Sequence, residues 1–360
     1  MRNAMFFLIL IVLSGCVAWT AWRFWQILPF PVWGKAAAVT IYVLSFLALF
    51  LHYSQGDRMP LWLATSTYVL GTSWMIFFAY ALIIFVLLAL SRLLGLVPAA
   101  FVKDSVAGSC TVLGLLVVIL VCGHVHYGHK YREELDIRTD KPLERPLKIV
   151  LASDLHAGYH IRAKELGHLV DLINAEQPDM VLFAGDILDG SLRPVREGRY
   201  AEVFRRIGAP VYACPGNHEY IAGRAGAESV FADAGIRLLR DEALSACGIR
   251  LVGRDDRAAR GRAPLSQLAP PDSLFTLVLD HQPFHLEEAE AAGVDFQFSG
   301  HTHHGQIWPG NWITDAMYEK AYGAHQRGST RYYVTSGLGL WGGRFRIGTR
   351  SEYLVLTLHN

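Results

Sequence analysis

Lys148-Ile-Val-Leu-Ala-Ser-Asp-Leu-His156 decides how the chain is read. The apolar residues at 149–152 do not alternate with polar ones, as a strand covered on both faces requires, and the run breaks at Ser153 and Asp154. Working outward, residues 163–176 carry Leu166, Leu169, Val170 and Ile173 at helical spacing, and Pro178 closes that helix. Met180-Val-Leu-Phe-Ala-Gly185 is a second buried strand, which completes a βαβ unit. The spacing continues with a helix at 200–207, a strand at 210–214, a turn at Pro215-Gly216 and a helix at 225–234. Strands follow at 236–239, 249–252 and 275–279, then a helix at 286–292 and strands at 296–299, 332–335 and 353–358. Alternating strands and helices, with antiparallel pairs towards the end, predict an α/β domain over 147–360: a layered β-sandwich flanked by helices.

Upstream the chemistry is different. Of 360 residues, 52% are hydrophobic and 18% charged, but residues 1–124 hold only six Lys/Arg and two Asp/Glu, against 27 and 30 in the remainder. That distribution excludes a wholly soluble protein, a disordered chain and a strongly basic nucleic-acid binder, so no nucleic-acid partner is implied. Five cysteines, three of them in apolar stretches, do not make a disulfide scaffold. Uncharged runs at 5–21, 36–51, 61–91 and 106–123, with Trp19, Trp22, Trp25, Trp33, Trp62 and Trp74 in or beside them, predict an all-α transmembrane region of four helices over 1–124. Residues 125–146 are left as a linker. The expected location is the inner (plasma) membrane, multi-pass, with the lipid bilayer as a partner. Arg23, Lys35, Arg92 and Lys103 after the first and third runs tilt the polar domain slightly towards the extracytoplasmic side, against Arg2, Lys130 and Arg132.

The polar domain repeats one event. Five of the nine strands are followed by residues able to ligate a metal: Asp154-Leu-His156, Gly185-Asp186-Ile-Leu-Asp189, Gly216-Asn217-His218-Glu219, Asp280-His281 and Gly300-His301-Thr-His303. In an open α/β sheet the strand ends open on one crevice, so these groups are expected to converge there. Asp154 and His156, like His301 and His303, are two residues apart and point the same way if the chain is extended.

This ordered set resembles the calcineurin-like metallophosphoesterases, and within them a bacterial membrane-associated phosphodiesterase branch. The resemblance runs over about 147–358 and takes in Ser336-Gly-Leu-Gly-Leu-Trp-Gly342 and Arg346-Ile-Gly-Thr-Arg350. It implies two divalent ions, Mn, Fe or Zn. Asp154, His156, Asp186 and His303 would hold one, and Asp186 would bridge to a second held by Asn217, His281 and His301. It further implies that a metal-bridging hydroxide attacks phosphorus while His218 stabilises or protonates the leaving oxygen. His304 stands where such relatives carry glycine.

Asp189 either orients His218 or caps the following helix. His160 and His304 are tentative contacts for substrate phosphate, and Arg254, Arg257, Arg260 and Arg262 read as a solvated basic loop. The expected function is that of a membrane-anchored, metal-dependent phosphodiesterase acting on phosphodiester or lipid-linked phosphate substrates. The alternatives are a pyrophosphohydrolase of nucleotide-activated glycolipids (UDP-diacylglucosamine-like) and a non-catalytic scaffold with the same fold.

Overall fold

The structure is a computed structural model that describes residues 2–270 and 273–360, leaving aside the side chains of residues 2–6 and 9. It divides into two compact units, Met1–His124 and Val125–Asn360.

The first unit consists of helices α1 (Arg2–Ile27), α2 (Val32–Gln55), α3 (Leu61–Leu93) and α4 (Val106–Gly128), the last running on past the unit boundary. Among the described residues three helices are long and apolar enough to cross a membrane, at Val32–Arg58, Leu61–Leu93 and Val106–Gly128. The expected count was four. The first run, 5–21, lies within α1, but part of it falls outside the described side chains. Helices α2 and α3 approach closely at Gly71, where a Cβ would press to 2.7 Å from both the Cβ and the backbone N of Leu49. Phe24, Tyr42, Trp74, Phe77 and Phe85 form an aromatic cluster, with Phe24 edge-on to Phe85 at 4.8 Å between ring centroids.

The second unit holds two six-stranded sheets. The first is formed by β1 (Lys130–Arg138), β2 (Leu147–Ala152), β3 (Met180–Ala184), β4 (Val211–Cys214), β5 (Ile236–Leu238) and β12 (Ser351–His359), in the order β1-β12-β2-β3-β4-β5. The second comprises β6 (Glu242–Ala246), β7 (Ile249–Gly253), β8 (Thr276–Leu279), β9 (Phe296–Ser299), β10 (Gly323–Arg327) and β11 (Thr330–Val334), in the order β10-β11-β9-β8-β7-β6. Strands β2 to β5 pair in parallel, as do β7 to β9, so their C-terminal ends face one way in each sheet.

Leu151, Leu182, Leu251, Leu279, Phe296 and Phe298 fill the space between the sheets. On the outer face of the first sheet, Leu166, Leu169 and Ile173 of α5 (Ala163–Ala175) and Val230 and Phe231 of α9 (Arg224–Ala234) cover Val150, Val181 and Phe183. The short helices α6 (Arg193–Glu197), α7 (Tyr200–Phe204) and α8 (Asn217–Ile221) continue that layer. On the second sheet, α10 (Leu265–Leu268) and α11 (Leu286–Ala291) cover Val252 and Val278. Helix α12 (Gly310–Met317) has no buried residue. The layered sandwich flanked by helices is therefore the fold.

Three strands and four helices depart from the sequence reading. Strand β1 lies in the stretch expected to be a linker, 125–146, and pairs in parallel with β12. Its inward positions Tyr131, Glu133, Leu135 and Ile137 alternate with exposed charges that hid it. Edge strands β6 and β10 and helices α6, α8, α10 and α12 were not anticipated either. The basic loop expected to be solvated is so only in part: Arg257 and Arg260 are exposed, but Arg254 is buried against Asp280 and Glu288, and Arg262 also meets Asp280.

Candidate metal centre

The loops after β2, β3, β4, β8 and β9 meet at one end of the sandwich. Asp154, His156 and His303 form one group able to hold a metal ion, and Asp186, His281 and His301 form another; within each, the ligand atoms lie within 4.8 Å of one another. His156, Asp189 and His218 form a third such group. His156 Nε2 is 3.0 Å from His303 Nε2, and Asp154 Oδ1 is 3.3 Å from His303 Nε2. Asp186 Oδ2 lies 3.1 Å from His281 Nε2 and 3.9 Å from His156 Nε2, so one carboxylate oxygen adjoins both groups.

Extended chain does not produce this convergence, contrary to the alternation argument. Asp154, His156, Asp186, His301 and His303 have φ of +55°, +49°, +50°, +70° and +47°, all in the left-handed region. Such backbone costs roughly 1–3 kcal/mol per non-glycine residue and persists only where its surroundings fix it. The surroundings are visible. Asp154 accepts the His301 N–H, and Asp186 Oδ1 accepts the His218 N–H at 2.8 Å. A Cβ at Gly300 would collide with Ser153 and Asp154, and one at Gly216 would collide with Asp186, which accounts for glycine before His301 and Asn217.

These residues fit divalent cations. Bonds of about 2.1 Å set at right angles place neighbouring ligand atoms ~3 Å apart, close to the spacings found here. His281 Nδ1 lies 2.8 Å from the Ala184 carbonyl, which leaves Nε2 facing Asp186, the arrangement by which a ligating imidazole is usually oriented. Asn217 Oδ1 is buried with no hydrogen-bond partner. Burial lowers His156 to about 4 and His301 to about 3, and drives His303 well below its ordinary value; all three are thus neutral imidazoles, the form that ligates. Burial also raises Asp154 to about 6. At His281 burial opposes the charged form, but Asp186 and Asp154 outweigh it and push the group to about 10. Burial likewise opposes ionisation of Asp186, and His281 overrides it and holds the carboxyl below its usual range. Two buried carboxylates call for positive charge, which a proton on His281 or a cation in the same place satisfies.

Asp189 Oδ1 lies 3.3 Å from His218 Nδ1 and accepts the Gly190 N–H. Burial works against a charged His218, but Asp189 and Asp186 raise it nonetheless. The two tentative substrate contacts lie outside the ligand groups. His160 is buried rather than at the rim, and His304 stacks on Tyr322 at 4.6 Å with Nε2 3.5 Å from Asp315.

Two supporting residues went unassigned in the sequence. Glu219 accepts the N–H groups of Asp186, Leu188 and Gly216, binding the β3 and β4 loops together; burial and Asp186 raise it to about 7. Arg346, fully buried, donates to the carbonyls of His303, Ser336 and Gly339 and ties the His303 loop to the C-terminal segment. The only sequence signal for either was its place inside a motif, beside a ligand or within Arg346-Ile-Gly-Thr-Arg350.

The model of the calcineurin-like phosphoesterases matches residues 147–305. A metallophosphoesterase of Bacillus subtilis (strain 168) is 32% identical over 227 residues, covering 59% of this chain and 78% of its own. This chain belongs to the calcineurin-like phosphoesterases. A metallophosphoesterase of Helicobacter pylori (strain ATCC 700392 / 26695) is 32% identical over 237 residues, 63% of each chain, so the present chain spans under two thirds of that relative's length. A transmembrane protein with metallophosphoesterase domain from Danio rerio is 28% identical over 353 residues, 88% of this chain and 80% of its own, an extent that reaches into residues 1–124. That relative is itself named as a transmembrane protein carrying a metallophosphoesterase domain.

Proposed function

We propose that this phosphoesterase is a membrane-anchored phosphodiesterase that uses two divalent cations to hydrolyse phosphodiester or lipid-linked phosphate substrates. The observation that carries the reading is Asp186 Oδ2, set between His281 of one ligand group and His156 of the other. Asp154, His156, Asp186 and His303 would hold the first cation; Asp186, Asn217, His281 and His301 would hold the second. A cation pair supplies Lewis acidity at the phosphoryl oxygens and makes a water acidic enough to ionise near neutral pH. A carboxylate suits the shared position, because it offers two oxygens where an imidazole offers one free nitrogen. Asn217, a neutral ligand, limits negative charge where an anionic substrate must enter.

His218 acts on the leaving group. Asp189 engages its Nδ1, which fixes the ring and leaves Nε2–H to be donated to the departing oxygen. Mn²⁺, Fe and Zn²⁺ all accept this mixture of oxygen and nitrogen ligands. A diester of a lipid is favoured over a soluble monoester because span-length helices on the same chain keep the enzyme where lipid is concentrated. The balance of loop charges favours an extracytoplasmic catalytic domain, which reporter fusions after residues 30, 56, 98 and 360 would test.

The test compares bis(p-nitrophenyl) phosphate with p-nitrophenyl phosphate, using detergent-purified full-length protein with Mn²⁺ and with chelator. Chelator-sensitive cleavage of the diester is expected. Preference for the monoester would replace diesterase by phosphatase. Cation-loaded protein inactive on both would redirect the search to diphosphate-linked glycolipids.

A further inference from the structure

Among the described residues from Lys130 onward, the exposed large apolar side chains are Ile221, Trp308, Trp312, Ile313, Met317 and Trp341, each between 40% and 63% exposed. Nine tryptophans occur in the chain, and the three beyond residue 74 are all in this set. A scattered apolar residue on a protein surface is ordinary, but a contiguous group calls for an explanation.

Ile221 and Trp341 lie beside the metal centre, and the other four are on or next to helix α12, which packs on one of its loops. Ile221 ends α8, the helix that begins with Asn217 and His218. Trp341 lies 6.5 Å from His218 between ring centroids, and its backbone is held by both ends of the Gln306 side chain, three residues after His303. Trp308 stands edge-on to Trp312 at 5.3 Å. Helix α12 lies against the loop of His301 and His303. A Cβ on Gly305 would collide with Gly310, Asp315 reaches His304 at 3.5 Å, and Tyr318, just past the helix end, lies 6.4 Å from the His301 ring. Its other face carries Trp312, Ile313 and Met317, and since Ile313 and Met317 are four apart they form one stripe.

We infer that this apolar rim is occupied by membrane lipid: its side chains enter the acyl boundary of the bilayer, and the phosphates delivered to His218 are those of lipids. Lipid fits better than a protein partner for two reasons. The same chain carries three helices long and apolar enough to cross a membrane, and His129 alone separates the last of them from β1, which ties the domain to a bilayer those helices would cross. Tryptophan beside isoleucine and methionine on a short amphipathic helix is also the composition that settles at the headgroup–acyl boundary. The inference rests on the phosphodiesterase reading above and narrows its substrate class.

The test uses full-length protein in phosphatidylcholine liposomes with two probes that share a reacting diester, methyl p-nitrophenyl phosphate in solution and hexadecyl p-nitrophenyl phosphate in the bilayer. A variant combining Trp312→Ser, Ile313→Ser and Met317→Ser should lose about tenfold or more in kcat/KM on the hexadecyl probe and stay within about twofold on the methyl probe. Equal activity of variant and wild type on the hexadecyl probe overturns the inference. Wild-type cleavage of the methyl probe alone refutes the lipid substrate, and cleavage of neither refutes the diesterase reading. A measurement independent of turnover separates these cases. In liposomes of dibrominated phosphatidylcholine, wild type should lose more tryptophan fluorescence than Trp312→Phe, and equal quenching would show that the rim is not in lipid.

Discussion

The two units bury their polar groups in opposite ways. In residues 1–124, Thr20, Thr67 and Thr72 each donate to a carbonyl four residues back, Ser109 donates to the Ile27 carbonyl, and His52 Nδ1 lies 2.9 Å from that of Ala64. Among the described residues there, the one buried charge is Lys35, which meets Asp104. In residues 125–360, Asp154, Asp186, Asp189, Glu219, His281 and Arg346 are all buried in or against the loops of the metal centre. Helices that satisfy their own backbones tolerate any apolar residue of suitable size. Converging charges do not, because each is tolerable only with its particular partners.

That contrast can be broken by substitution. Asp154→Asn keeps the shape and removes a charge; kcat on bis(p-nitrophenyl) phosphate should fall by about 10³-fold or more. Leu87→Val on the exposed side of α3 removes a methylene and should leave the rate within about twofold. Similar losses in both variants would erase the distinction between the units. His218→Ala should lower kcat by about 10²-fold while bound metal, measured by mass spectrometry, stays at the wild-type level. Loss of metal in that variant would make His218 a ligand instead. Glu219→Gln should weaken cation affinity by about tenfold through the loops it braces, as a chelator titration would show.

The smallest effect concerns acid stability. Glu176 is drawn down to about 2 by the Arg132 guanidinium, aided by Lys148 and Tyr353. Its folded value lies below the ordinary 4.5, so the unfolded chain takes up the proton first. The contribution is whole above pH 4.5 and disappears as pH falls through 2. Glu176→Gln should therefore unfold earlier than wild type at neutral pH, with a gap that closes on acidification. A gap constant across the range would assign the loss to packing.

How much of this was legible in the sequence follows the same division. The buried runs at 149–152 and 180–184 announced β2 and β3, and helical spacing within 163–176 announced α5, because full burial leaves a pattern in the residues themselves. Strand β1 was hidden by its exposed charges, β10 by His325, Gln326 and Arg327, and α12 by its lack of a buried face. At the site, residue types at strand ends marked the groups that converge. The left-handed turns that bring them together, and the reach of Arg346 to the His303 carbonyl, left no pattern, since both depend on contacts between segments distant in sequence. For the same reason nothing in the sequence signalled that His160 is buried or that His304 stacks on Tyr322.

The central claim is that Asp186 joins two cation sites on one catalytic surface. The most direct measurement is cation stoichiometry by mass spectrometry, paired with diester hydrolysis, for wild type, His303→Ala, His281→Ala and Asp186→Asn. The account predicts about two equivalents in wild type, about one after either histidine substitution, and loss of both bound cation and activity in Asp186→Asn. Full activity of Asp186→Asn with wild-type metal content would contradict it.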